Sequence, residues 1–133
     1  MNEGKRKILL IDDDSFLLDM YALKFSQSNF DVHAVGSGAQ ALEKLQSGLK
    51  PDIILTDIIM PEMNGFEMLE KINAEKLSVD SAKIILSNKG QKEDVDHGRE
   101  LGVDGYIVKA NSTPAEVITQ VLEILSKKTG AVK

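Results

Sequence analysis

The sequence predicts an α/β fold: a parallel sheet of five strands with helices packed on both of its faces. Two observations carry the prediction. Five short apolar runs recur, Ile8–Ile11, Val32–Val35, Ile53–Thr56, Lys83–Leu86 and Tyr106–Val108, each rich in Ile, Val or Leu. Short runs of this kind, bounded by polar residues or glycine, read as strands buried on both faces. Between them lie segments in which apolar residues return at helical spacing. Antiparallel neighbours need no helix between each pair, but parallel neighbours need a crossover. Strand and helix alternating five times is therefore most simply a doubly wound parallel sheet.

The elements follow in order. "MNEGKRK" leads directly into the first strand and leaves no room for a signal peptide. The first helix shows Phe16, Met20 and Leu23 at i, i+4 and i+7, and the second shows Leu42, Leu45 and Leu49 at i, i+3 and i+7. Phe66, Leu69 and Ile72 give the third a weaker stripe. The fourth, around Gln91–Leu101, is the poorest. It has only Val95 and Leu101 as apolar anchors, and Gly98 interrupts it at a cost of ~1 kcal/mol relative to alanine. Two readings stand: a loosely packed surface helix, or an element that shifts between two arrangements. Val117, Ile118, Val121, Leu122 and Leu125 make the clearest stripe and define the fifth helix. The basic, polar stretch from Ser126 to Lys133 reads as a fraying end.

The bulk properties narrow the function. A chain of 133 residues fits a single domain over 1–133, with a core of about 5–126 and a short polar tail over 127–133. No output domain is expected after Leu125. Hydrophobic residues at 42 % promise a real core. No apolar stretch is long enough to span a membrane, and without cysteine there is neither disulfide nor thiolate metal site. A cytoplasmic location is expected. The net charge of −5 argues against a nucleic-acid surface. His33 and His97 read as surface histidines, and the methionines as gap-filling core or loop residues.

In open parallel sheets, ligands bind beyond the carboxyl ends of the strands. The residues there are Asp12, Asp13 and Asp14 after the first strand, Thr56 and Asp57 after the third, Ser87 and Asn88 after the fourth, and Lys109 after the fifth. Crowded carboxylates repel, so one must hold a proton or a cation must join them. Oxygen donors alone suit a hard ion, and Mg²⁺ is the usual choice where a phosphoryl group also supplies oxygen. A carboxylate beside such an ion can attack phosphorus and form an aspartyl-phosphate. Lys109 as a point charge and Ser87 as a hydroxyl suit the charge that spreads in that transition state. Paired carboxylates also serve glycoside hydrolysis, but 5 % aromatics offers little surface for stacking sugars.

With these residues in view, the chain resembles the receiver domains of bacterial two-component response regulators, including the single-domain chemotaxis type. The likeness runs from about Lys5 to Leu125. It rests on the acidic pair in "LLIDDD", on "DIILTDIIMPEMNGFEML", on the hydroxyl in "KIILSN" and on "DGYIVK". The resemblance implies a flavodoxin-like (βα)5 fold with strand order 2-1-3-4-5. It implies Asp57 as phosphoacceptor, with Mg²⁺ held by Asp12, Asp13, Asp57 and the backbone carbonyl of Ile59. Ser87 and Lys109 would contact the phosphoryl group, and the Tyr106 rotamer would report activation. The phosphoryl donor would be a histidine kinase or a histidine phosphotransfer protein. The signal would pass to a separate target protein through the fourth helix, fifth strand and fifth helix, the domain being a monomer or weak dimer.

The chain also departs from that family. Members often carry proline after the lysine, commonly in a cis peptide; here Ala110 follows Lys109. The bond is then either trans or a cis bond costing ~2.5–4 kcal/mol. Asn88 follows Ser87, where a small residue is usual, and Lys89 comes next. Two rival functions remain. Asp12 and Asp14 also satisfy the opening of aspartate-nucleophile phosphatases of the haloacid dehalogenase type, with Asp12 attacking and Asp14 as acid–base. A constitutive receiver-like binding module, never phosphorylated, is the other. Under the receiver reading Asp14 and Ser15 form the cap and first turn of the first helix, and Pro61 and Gly65 shape the loop before the third.

Overall fold

A computed structural model describes residues 5–129. The elements run β1 (Arg6–Ile11), α1 (Ser15–Gln27), β2 (Phe30–Val35), α2 (Gly38–Gln46), β3 (Ile53–Thr56), α3 (Gly65–Ala74), β4 (Ala82–Ser87), α4 (Lys92–Glu100), β5 (Gly105–Val108) and α5 (Pro114–Thr129). A short 3-10 turn, Lys109–Asn111, separates β5 from α5. All five strands are parallel, in the order β2-β1-β3-β4-β5. Both the fold class and the strand order match the expectation.

Side chains alternate across the sheet because successive residues of a strand point to opposite faces. Ile8 and Leu10 join Tyr21, Phe25, Val117 and Val121 in a core under α1 and α5. Leu9 and Ile11 join Leu42, Leu45, Leu69 and Ile72 in a second core under α2 and α3. β3 is buried along its whole length, as its unbroken apolar run requires.

Three expectations about the helices need correction. On α1, Phe16 and Leu23 are 77 % and 58 % exposed, so of the Phe16–Met20–Leu23 stripe only Met20 packs against the core. The buried face is Tyr21 and Phe25, flanked by Leu17 and Leu18. The last helix also runs past the expected start of the tail. α5 continues through Ser126 to Thr129, and residues 130–133 lie outside the described part. α5 begins with proline at its first position, preceded by Thr113. The Thr113 hydroxyl accepts from the Glu116 N–H at 3.2 Å, and the Glu116 carboxylate accepts from the Thr113 N–H at 2.8 Å. His97 is the third correction: its ring stacks on Phe66 with centroids 4.0 Å apart, which ties α4 to α3.

α4 is held down in an unexpected way. Its buried residues are Asp94 and Gly98, while Val95 is only half-buried. A Cβ on Gly98 would come within 3.1 Å of Ile85 Cδ1 and 3.3 Å of Val103 Cγ2. The glycine is thus a close approach of helix to sheet.

Candidate functional site

Register builds the site. Ile11 pairs with Thr56, so Asp12 and Asp57, one residue on in each strand, emerge side by side. Ser87 pairs with Val108, which sets Lys109 next to the hydroxyl on the same rim. The Asp57 N–H continues the ladder by donating to Ile11 O at 3.0 Å. Asp12, Asp13, Asp57, Ser87, Lys89 and Lys109 line one open cleft of about 560 Å³ at the carboxyl edge of the sheet. The sequence-predicted residues therefore converge. Ile59 lines the same cleft, with its side chain largely exposed.

Lys109 is the centre of the charge network. Its Nζ donates to Asp12 Oδ2 at 2.8 Å and to Asp57 Oδ2 at 2.9 Å. The three side chains are about nine-tenths buried. Burial alone would lower the lysine pKa. The hydrogen bonds and charges of Asp12 and Asp57 outweigh it, and the net shift is upward. Every described peptide bond is trans, so Lys109–Ala110 reaches this geometry in the ordinary conformation.

The carboxylates have different duties. Asp57 Oδ1 accepts from the Ile58 N–H at 2.6 Å, and Asp12 Oδ1 accepts from the Asp14 N–H at 2.9 Å. Asp14 caps α1: its carboxylate accepts from the Leu17 N–H at 3.1 Å. Asp13 is exposed, and its carboxylate can approach those of Asp12 and Asp57, ligand oxygens all lying within 4.8 Å of one another. Three carboxylates and no nitrogen or sulfur donor, on an open cleft, fit a hard divalent cation. Such an ion would compete with Lys109 for Asp12 and Asp57.

The loop after Asp57 is tightly folded. The Gly65 N–H donates to Ile58 O at 2.8 Å, and the Met63 N–H to Pro61 O at 2.7 Å. Asn64 and Glu67 form a reciprocal capping box that starts α3. Ser87 is 1 % exposed, and its Oγ accepts from the Lys89 N–H at 3.2 Å.

Tyr106 donates its hydroxyl to the backbone carbonyl of Lys89. Burial, then the charges of Asp94 and Asp57, push its pKa up to about 12. Burial also raises Tyr21. These are the only two tyrosines and the chain has no tryptophan, so ultraviolet titration reads them cleanly. A group whose folded pKa is raised adds stability below its unfolded pKa and loses it as pH climbs toward the folded value. For Tyr106 that loss falls between about 10 and about 12. Tyr106→Phe is expected to remove the more alkaline phenolate transition and flatten unfolding stability across that window. A variant with the wild-type alkaline titration would contradict the burial of Tyr106.

One pair in the site escaped the sequence reading. Lys89 Nζ lies 2.9 Å from Asp94 Oδ1, linking the loop after β4 to the first turn of α4. Five-residue spacing across a loop has no periodic signature. The only clue was an acidic residue in a helix short of apolar anchors.

Comparisons with known proteins point in one direction. The model of the response regulator receiver domain matches residues 8–122. The DNA-binding response regulator MtrA of Mycobacterium tuberculosis is 32 % identical over 121 residues, covering 91 % of this chain and 51 % of the relative. The alkaline phosphatase synthesis transcriptional regulatory protein PhoP of Bacillus subtilis is 32 % identical over 122 residues, covering 92 % and 49 %. The chain thus spans about half the length of these curated relatives. Among solved structures, a CheY-like receiver domain protein from Methanospirillum hungatei superposes with a TM-score of 0.86 at 26 % identity, covering 97 % of this chain and all of that one. A Francisella response regulator receiver domain gives a TM-score of 0.81, also at 26 % identity, covering 92 % of this chain and 98 % of that one.

Proposed function

This chain belongs to the response regulator receiver family, and on that premise we propose that Asp57 is its phosphoacceptor. Receivers of two-component systems are signalling modules that take a phosphoryl group on an aspartate with Mg²⁺. The observation that carries the assignment here is the joint hold of Lys109 on Asp57 and Asp12, with Asp13 beside them. Asp57 Oδ1 accepts from a backbone N–H and Oδ2 from Lys109, so Oδ2 is freed to attack phosphorus as the lysine turns to the phosphoryl oxygens.

In this reading Lys109 moves with the incoming phosphoryl oxygens and balances the charge they gather. Ser87 Oγ donates to another of those oxygens. Asp12, Asp13, Asp57 and the Ile59 carbonyl would hold Mg²⁺, which would supply positive charge against the transferring phosphoryl group. The donor is a phosphohistidine on a kinase or phosphotransfer protein. Its P–N bond breaks as the P–O bond to Asp57 forms. The product is read by a target protein through α4, β5 and α5, with Tyr106 as the reporting aromatic. A single receiver domain in the cytoplasm, monomeric or weakly dimeric and without direct contact to nucleic acid, is part of the proposal. No helix among the described residues is long and apolar enough to cross a membrane.

The phosphatase reading loses its acid–base, because Asp14 is occupied as the cap of α1. Acetyl phosphate with Mg²⁺ separates the readings, including that of a constitutive module. The wild type and Asp14→Asn are expected to gain one phosphoryl group by intact-mass measurement, and Asp57→Ala none. Equal labelling of Asp57→Ala would overturn the assignment. No labelling of the wild type would favour the constitutive module.

A further inference from the structure

We propose that Lys89 is a second ammonium for the phosphoryl group, held in reserve by Asp94, and that its transfer to the phosphoryl group releases the first turn of α4. The proposal rests on Asp57 as acceptor. It adds a contact and a coupling that neither the acidic cluster nor Lys109 supplies.

The two partners are unequal. The Lys89 side chain is 44 % exposed on the rim of the cleft that holds Asp57, whereas Asp94 is 9 % exposed beneath α4. The ammonium is free to move and the carboxylate is not. Lys89 is the one cation paired with Asp94 among the described residues. The backbone at Lys89 is pinned at both groups, its N–H to Ser87 Oγ and its carbonyl by the Tyr106 hydroxyl. A change of partner therefore falls to the four-carbon stem alone.

Asp94 is the third residue of α4. Its Oδ2 accepts from the Gln91 N–H at 3.1 Å, while the Asp94 and Val95 N–H groups donate to Gln91 O at 3.0 and 3.1 Å. The carboxylate closes the first turn and the lysine neutralises it. Phosphorylation replaces the single charge of Asp57 by about two on the phosphoryl group, against one on Asp94. Lys89 then has the stronger partner across the cleft. A buried carboxylate left without its cation is strongly unfavourable. Opening the first turn relieves this by letting water reach Asp94. The first turn itself has little else to hold it, because the remaining anchors of α4, Gly98 and the His97 ring on Phe66, lie in its later turns.

The test uses beryllofluoride with Mg²⁺ as a stable phosphoryl mimic, with affinity from ¹⁹F resonance intensities. Hydrogen exchange at the Gln91, Asp94 and Val95 amides reads the turn. In the wild type, binding is expected to speed exchange at all three. Lys89→Met loses a phosphoryl contact and is expected to bind about fivefold more weakly. Its turn exchanges fast before the mimic is added. Asp94→Asn no longer holds the lysine back and is expected to bind about fivefold more tightly. Its exchange does not respond to the mimic, because a neutral side chain has no charge to expose. General damage to the loop would weaken binding in both variants, so the opposite signs are diagnostic. Unchanged affinity in both, or wild-type opening of the turn in Lys89→Met, overturns the proposal and leaves Asp57 intact. A wild type that does not bind the mimic overturns the Asp57 reading and this proposal with it.

Discussion

Lys109→Met is expected to reduce the rate of Mg²⁺-dependent phosphorylation by acetyl phosphate about 10²–10³-fold, the usual cost of losing one donor aimed at developing charge. It is also expected to destabilise the domain by roughly 3 kcal/mol at neutral pH, the lower end for breaking a buried ion pair, since the cleft admits water. The cause is electrostatic: Asp12 and Asp57 share this one ammonium, and its loss leaves two carboxylates facing each other. The pH dependence follows from the direction of the lysine shift. Its folded pKa lies above the unfolded value of 10.5. The stabilisation is therefore complete below 10.5 and is lost as pH rises through the folded pKa. Urea unfolding should show a constant gap between wild type and variant through neutral pH, closing at the alkaline end. Added Mg²⁺ should narrow the gap at pH 7 by binding the exposed carboxylates of the folded variant. Equal stability of the two proteins at pH 7 without Mg²⁺ would mean that Lys109 is a solvated lysine and not the keystone of the site.

Gly65→Ala is the second large effect, and Gly105→Ala is its control. A Cβ on either glycine would stand 2.3 Å from a neighbouring atom. At Gly65 that atom is the backbone carbonyl oxygen of Asp57, with Ile58 Cα only 3.0 Å away. Neither can rotate aside. The start of α3 or the peptide that carries the acceptor must shift, and the bond from the Gly65 N–H to Ile58 O goes with it. A loss of roughly 2–3 kcal/mol is expected, in the range for overpacking, together with slower labelling of Asp57. At Gly105 the atom is Ile124 Cδ1, the rotatable end of a half-buried side chain. There the cost should stay below about 1 kcal/mol. Thermal unfolding of both variants beside their labelling rates measures the contrast. Similar losses at the two positions would show that the Asp57–Gly65 approach is not rigid.

Much of this was legible in the sequence, and the failures have physical causes. The five strands could be read because a parallel sheet buried on both faces demands continuous apolar runs, and Ile53–Thr56 is one. Asp12, Asp57 and Lys109 could be placed because each directly follows such a run. The inward face of α1 was misread because its apolar residues cover more than one stripe. Phe16, Met20 and Leu23 have helical spacing, but so do Leu18, Tyr21 and Phe25; the second set meets the core, while of the first only Met20, between the two, touches it. Periodicity detects a stripe without saying which of two is inside. The stacking of His97 on Phe66 and the pairing of Lys89 with Asp94 join residues on different elements, and no local pattern announces such contacts.

The seating of α4 has a mechanical consequence. Helices usually lock because side chains of one drop into hollows of the other, and moving them means lifting ridges out of grooves. At Gly98 there is no ridge, only backbone lying close to Ile85 and Val103. Such a contact resists separation through dispersion but offers little friction to sliding. α4 is thus expected to shift over the sheet without detaching at Gly98, with the Lys89–Asp94 pair and the His97–Phe66 stack as the brakes.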